Sequence, residues 1–94
     1  MPKPLLPDFL LDLYAEYGHT HPRPSGLFFL FNFIDESTTY FKALKRVQAI
    51  CAAHGITPVS LIIRPGPEVK QPFNRSITLS VARHTLVPDR RHLP

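Results

Sequence analysis

The residues best suited to chemistry are one cysteine, five histidines and a group of arginines and lysines crowded into the second half of the chain. Cys51 and His54 lie three residues apart, a spacing that sets a thiol and an imidazole on one face of a helix. An activated thiolate also needs partial exposure and a positive environment. Cys51 instead falls on the apolar stripe of Val47 and Ile50, where a cysteine acts as a small buried hydrophobe. His19 and His21 stand two apart beside prolines, and His54, His84 and His92 are scattered. A metal ion needs several ligands at fixed geometry, and no ligand spacing connects these five. The glycines, four in all, form no phosphate-binding motif. No metal, no cofactor and no catalytic residue are expected.

The tripeptide Glu68-Val69-Lys70 has the order of the acid-x-lysine element of metal-dependent nucleases, in which carboxylates hold magnesium and the lysine assists the attacking water. That chemistry needs a second carboxylate and a rigid strand to hold the pair. Here the tripeptide lies between Pro67 and Pro72, in a loop, and Asp35 and Glu36 open a helix instead. A non-catalytic reading follows.

Binding remains, and charge is its main signal. The formal net charge is +4. Residues 1–40 hold two basic against five acidic residues, a net −3, whereas residues 41–94 hold nine against two, a net +7. Such asymmetry points to an anionic partner for the second half. Lys42, Lys45 and Arg46 share a helix flank. Arg64, Lys70 and Arg75 gather around a strand–loop–strand segment, and Arg83 follows. Basic side chains neutralise phosphates, and Phe73, in the loop among them, is placed to stack on a base. These eight residues are the candidate partner-binding set.

The elements that must position them are short. Leu6, Phe9, Leu10, Leu13, Tyr14 and Tyr17 recur at helical spacing, predicting a helix over 5–17 with Pro7 in its first turn and Gly18 as its stop. The connector 19–26 carries Pro22 and Pro24 and reads as stiff extended chain. Leu27 to Ile34 is almost continuously apolar, the pattern of a central strand covered on both faces, with Asn32 the exception. A second helix is expected over 35–54, opened by Asp35, Glu36 and Ser37 and closed by Gly55. Strands follow at 58–64 and 75–83, joined by the proline-rich loop 65–74. In the last strand Ile77, Leu79 and Val81 alternate with Ser76, Thr78, Ser80 and Ala82.

The expected fold is α+β: a small three-stranded mixed sheet with a β-α-β-β core and an additional N-terminal helix. A right-handed crossover makes the first two strands parallel, and the last two form an antiparallel hairpin. The N-terminal helix either covers the sheet face that carries Phe28, Leu30 and Ile34 or leaves it as an exposed apolar surface. One domain is expected over 1–94, with a mobile, unpatterned tail at 88–94. With one cysteine and no apolar run beyond the five residues Leu27–Phe31, neither a disulfide nor a transmembrane segment is expected, and the chain reads as cytoplasmic.

The functional expectation is a binding module that contacts nucleic acid or a nucleoprotein assembly through its basic second half. The alternative is a protein-interaction module (regulator, inhibitor or assembly subunit) that uses a sheet edge and loop 65–74. Partners are then nucleic acid or an acidic protein, with no membrane and with a homodimer through a sheet edge as a further form.

Overall fold

The computed structural model describes residues 3–18, 20–36, 39–65 and 75–87. Two helices, α1 (Leu6–Tyr17) and α2 (Tyr40–Ala53), pack on a sheet of β1 (Pro22–Ser25), β2 (Phe28–Asp35), β3 (Ser60–Pro65) and β4 (Arg75–Ala82). A single 3-10 turn, Arg83–Thr85, follows β4.

The α+β class is as expected, but the sheet differs from a three-stranded mixed one. It has four strands in the order β1-β2-β4-β3, and every pairing is antiparallel. β2 and β3 run parallel to each other yet never pair, because β4 lies between them. The β2–α2–β3 unit is thus a split β-α-β. Taken cyclically, α-β-β-α-β-β is the ferredoxin-like element order β-α-β-β-α-β begun one strand later.

The added strand, β1, comes from the proline-bearing connector. Pro22 and Pro24 pair opposite Phe31 and Phe29. Proline cannot donate to a ladder and is tolerated on an edge, which is where β1 lies. The tight turn to β2 is Gly26-Leu27, with Gly26 at φ 61°, at the first turn position that a two-residue hairpin reserves for glycine.

Both helices cover the same sheet face. Phe9 and Leu13 of α1 and Ala43, Val47 and Cys51 of α2 meet Phe31 and Phe33 of β2 and Ile77, Leu79 and Val81 of β4. All ten are almost fully buried. Phe9 meets Phe31 edge-on, with ring centroids 5.4 Å apart.

Local signals set the helix ends. Leu5 cannot cap α1 with its side chain. The chain beyond β4 returns to do so: the Leu6 N–H donates to the Val87 carbonyl at 2.7 Å and the Val87 N–H to Pro4 at 2.9 Å. α2 starts later than expected. Thr39 is its N-cap, accepting from the Lys42 N–H at 3.1 Å, while Asp35 ends β2 with its side chain in the helix-side interior. Residues 88–94, expected to be mobile, and most of loop 65–74 lie outside the described residues.

Phe9→Ala removes a ring at the centre of the helix–sheet layer and is expected to cost about 3–5 kcal/mol in urea unfolding, whereas Leu11→Ala, exposed on the same helix, should stay within about 0.5 kcal/mol. Equal losses for the two would contradict this packing.

Candidate functional site

With α1 and α2 on one side, the other side of the sheet is open among the described residues. Its rows follow from register, since residues opposite each other in an antiparallel pair share a face. Phe28 faces Ala82; Leu30 faces Ser80 and, on the other side, Arg23; Asn32 faces Thr78; Ile34 faces Ser76. Across β4, Ser80, Thr78 and Ser76 face Ser60, Ile62 and Arg64. Phe28, Ile34 and Ile62 are 37%, 38% and 42% exposed, although a face turned to water on an antiparallel sheet is ordinarily polar. Asn32, the exception in the apolar run, accepts a hydrogen bond from the Thr78 hydroxyl at 2.9 Å, a cross-strand pair in the middle of this face.

The face has relief. β4 contributes only Ser76, Thr78, Ser80 and Ala82, so its row is a floor of small side chains. Phe28, Leu30 and Ile34 of β2 rise on one side, and Ile62 and Arg64 of β3 on the other. The outward strand positions carry two charges, Arg23 on β1 and Arg64 on β3, and no carboxylate. The two sheet edges differ as well. Both β1 and β3 have a neighbour on one side only, but prolines deprive β1 of half its N–H donors, whereas five of the six residues of β3 keep theirs.

The fold separates the basic residues that the sequence groups together. Arg64 joins the open face. Arg75, opposite Asp35, lies in the helix-side row, and its Nε is buried without a hydrogen-bond partner. Arg83 is at the far end of β4, roughly 25 Å from Arg75 along an extended strand. It pins the β1–β2 turn: its backbone N–H donates to Leu27 at 2.8 Å, its Nη1 to the Gly26 carbonyl at 3.1 Å, and its guanidinium lies 5.4 Å from the Phe29 ring centroid. Lys70 and Phe73 lie outside the described residues.

Lys42 and Lys45 are exposed on α2, in the opposite layer from Arg64, beside the exposed rings of Tyr40 and Phe41. Lys45 Nζ sits 4.7 Å from the Phe41 ring centroid. Arg46 leaves this flank and turns toward α1. Its Nε donates to Glu16 Oε1 at 2.9 Å, its Nη2 donates to the same oxygen, and its Nη1 donates to Asp35 Oδ1 at 3.4 Å. The Arg46 guanidinium also covers the Tyr17 ring, which stacks on Phe33 with centroids 4.4 Å apart.

Glu16, Tyr17, Ile34, Glu36 and Arg46 line a shallow pocket of about 310 Å³ beside this cluster. Burial first, and then the Asp35 charge, push the Tyr17 hydroxyl well above the usual tyrosine range, so it keeps its proton. The Glu16 hydrogen bond is the largest of the influences that raise the Arg46 pKa further. The arrangement holds charge in place and ties α1, α2 and β2 together. No cluster of three or more metal-binding side chains occurs among the described residues, and none of their helices is long and apolar enough to cross a membrane.

Sequence reasoning passed over Arg23 and Ile62 as surface candidates. The signal for both was alternation: Arg23 between two prolines, and Ile62 in register with the hydroxyl row of β4. Comparison with protein-family models, curated proteins and solved structures finds no match to this chain.

Cys51 is 1% exposed, and burial pushes its thiol from 9.0 up to about 11. The folded chain therefore keeps a proton that the unfolded chain releases above about pH 9. Stability fully present below pH 9 should decline as pH rises toward 11. Urea midpoints measured from pH 8 to 11 are expected to fall less steeply for Cys51→Ala than for the parent, and parallel slopes would contradict the burial argument.

Proposed function

We propose that this protein is a non-catalytic binding module and that the open sheet face is its contact surface, with a protein as the partner. The observation that carries the reading is the exposure of Phe28, Ile34 and Ile62 on one face of a sheet whose other face holds the whole helix layer. Exposed apolar side chains gathered on one face of a small domain suit protein contacts. Aliphatic residues and hydroxyls predominate there, and Phe28 is the single aromatic residue among its described strand positions. Sheet platforms for single-stranded nucleic acid depend on stacked aromatics, so the composition favours protein. The regulator, inhibitor and assembly-subunit roles are all compatible with such a surface.

Nucleic acid is the second reading, and a different surface favours it. Tyr40 and Phe41 are 50% and 59% exposed beside Lys42 and Lys45, and neither lysine meets a carboxylate among the described residues. Exposed rings next to uncompensated cations suit phosphate contact with base stacking.

One pair of variants separates the readings. The first expects the immobilised parent and a Lys42→Ala/Lys45→Ala double variant to capture the same protein and an Ile62→Lys variant to lose it. The second expects labelled single-stranded DNA or RNA to bind the parent with steep salt dependence, and the lysine double variant to bind with a slope shallower by about 1.4 in log–log form. Capture unaffected by Ile62→Lys would remove the open face from the first reading, and no oligonucleotide binding at low salt would remove the second.

A further inference from the structure

We infer that the open face docks an acidic amphipathic helix of a partner protein, seated along β4. The inference rests on the protein-binding reading above and deepens it. Shape is the first ground. The backbones of β2 and β3 are two strand spacings apart, about 10 Å, with β4 between them. No outward side chain of β4 is larger than threonine. The strip from β2 to β3, with Phe28, Leu30 and Ile34 along one side and Ile62 along the other, is about as broad as an α-helix, about 10–12 Å, which would rest across the tops of these side chains. β3 flanks β4 over six residues, so the two-walled part of the trough runs about 20 Å, the length of a helix of about 13 residues. A helix there would complete a third layer on the sheet, burying the apolar wall residues as α1 and α2 bury the opposite rows.

Charge selects among occupants of that shape. Arg23 flanks the trough beyond β2, and Arg64 stands on the β3 wall four residues further along. The two are roughly 20 Å apart across the face and about 13 Å apart along the strands. A docked helix would answer them with carboxylates on its two flanks, about nine residues apart. A second copy placed face to face would instead bring four arginines together with no strand carboxylate on either face, so a like-with-like dimer is disfavoured.

The test uses the full chain, labelled with nitrogen-15, and two synthetic peptides of 18 residues. Both carry the same leucine stripe at helical spacing. One is flanked on both sides by glutamate and the other by lysine. The glutamate peptide is expected to shift the amides of residues 28–34, 60–64 and 76–82, to bind at least tenfold more tightly than the lysine peptide, and to weaken with salt. An Arg23→Glu/Arg64→Glu variant should reverse the preference. Should that variant lose its dispersed spectrum, Arg64→Gln should still narrow the gap between the peptides. Equal or tighter binding of the lysine peptide by the parent would overturn the acidic helix while leaving the open face as a docking surface. Binding of neither peptide at millimolar concentration would overturn the helix trough itself, and the Ile62→Lys capture experiment separately decides the broader reading. Shifts of the same amides on dilution, with a doubled mass, would overturn it in favour of a second copy. Shifts induced by oligothymidine at those amides would overturn it in favour of nucleic acid.

Discussion

The alternation of β4 is the constraint on which the rest of the structure depends. Ile77, Leu79 and Val81 are fully buried on one side, while Ser76, Thr78, Ser80 and Ala82 occupy the other. A central strand with one oily row can support a helix layer on that side only, because a helix buries its apolar stripe against apolar surface. Both helices obey. Their convergence on one face explains why β2, with apolar residues in both rows, is covered along one row and exposed along the other. Phe31 and Phe33 are in the core, whereas Phe28 and Ile34 are each a little over a third exposed. The open face is thus a consequence of the chemistry of one strand imposed on its neighbour.

The helix layer is held by more than its apolar contacts. Arg46 reaches Glu16 on α1 and Asp35 at the end of β2, and His54 Nε2 lies 2.6 Å from Asp12 Oδ2 near the other end of the helix pair. Asp35 has a fully buried side chain, and such a charge is tolerable only with a partner close by. Arg46 is only partly exposed and supplies that partner from α2, which fixes α2 over the end of β2. The half-exposed Arg46–Glu16 pair contributes little net stability, whereas removing Arg46 would leave the Asp35 carboxylate buried without that partner.

Much of this was legible in the sequence, and the failures have physical causes. Helical periodicity located both helices, and alternation located β4, because those signals are local and repeat several times. β1 looks like a connector in sequence because Pro22 and Pro24 count against a strand anywhere but at an edge, and edge position is a property of the assembled sheet. The place of β4 was unreadable for a similar reason: a hairpin with β3 is the same local pattern whether β4 lies outside the sheet or between β2 and β3. Asp35 read as a helix cap because an acidic residue ahead of a helical run usually is one. Thr39, four residues on, does that work and frees Asp35 to turn inward. The stripe of α1 was clear, but a stripe does not specify which sheet face it meets. That missing fact separates a covered Phe28 from an exposed one.

The charge asymmetry of the chain takes a different meaning once folded. Taken along the sequence, −3 against +7 suggests an acidic and a basic half with separate fields. In the structure two of the acidic residues of α1 face the second half directly, Asp12 against His54 and Glu16 against Arg46. Part of the asymmetry is therefore spent inside the helix layer, joining the halves. Among the described residues, Lys42 and Lys45 on the helix side and Arg23 and Arg64 on the sheet side remain exposed, as do Lys3, Glu36 and Arg83. Arg23 belongs to the nominally acidic half, yet the pairing of β1 with β2 brings it onto the same face as Arg64. A surface field is set by which charges remain uncompensated after folding. Here folding cancels charge where α1 meets α2 and leaves it positive on the face that is also apolar and open.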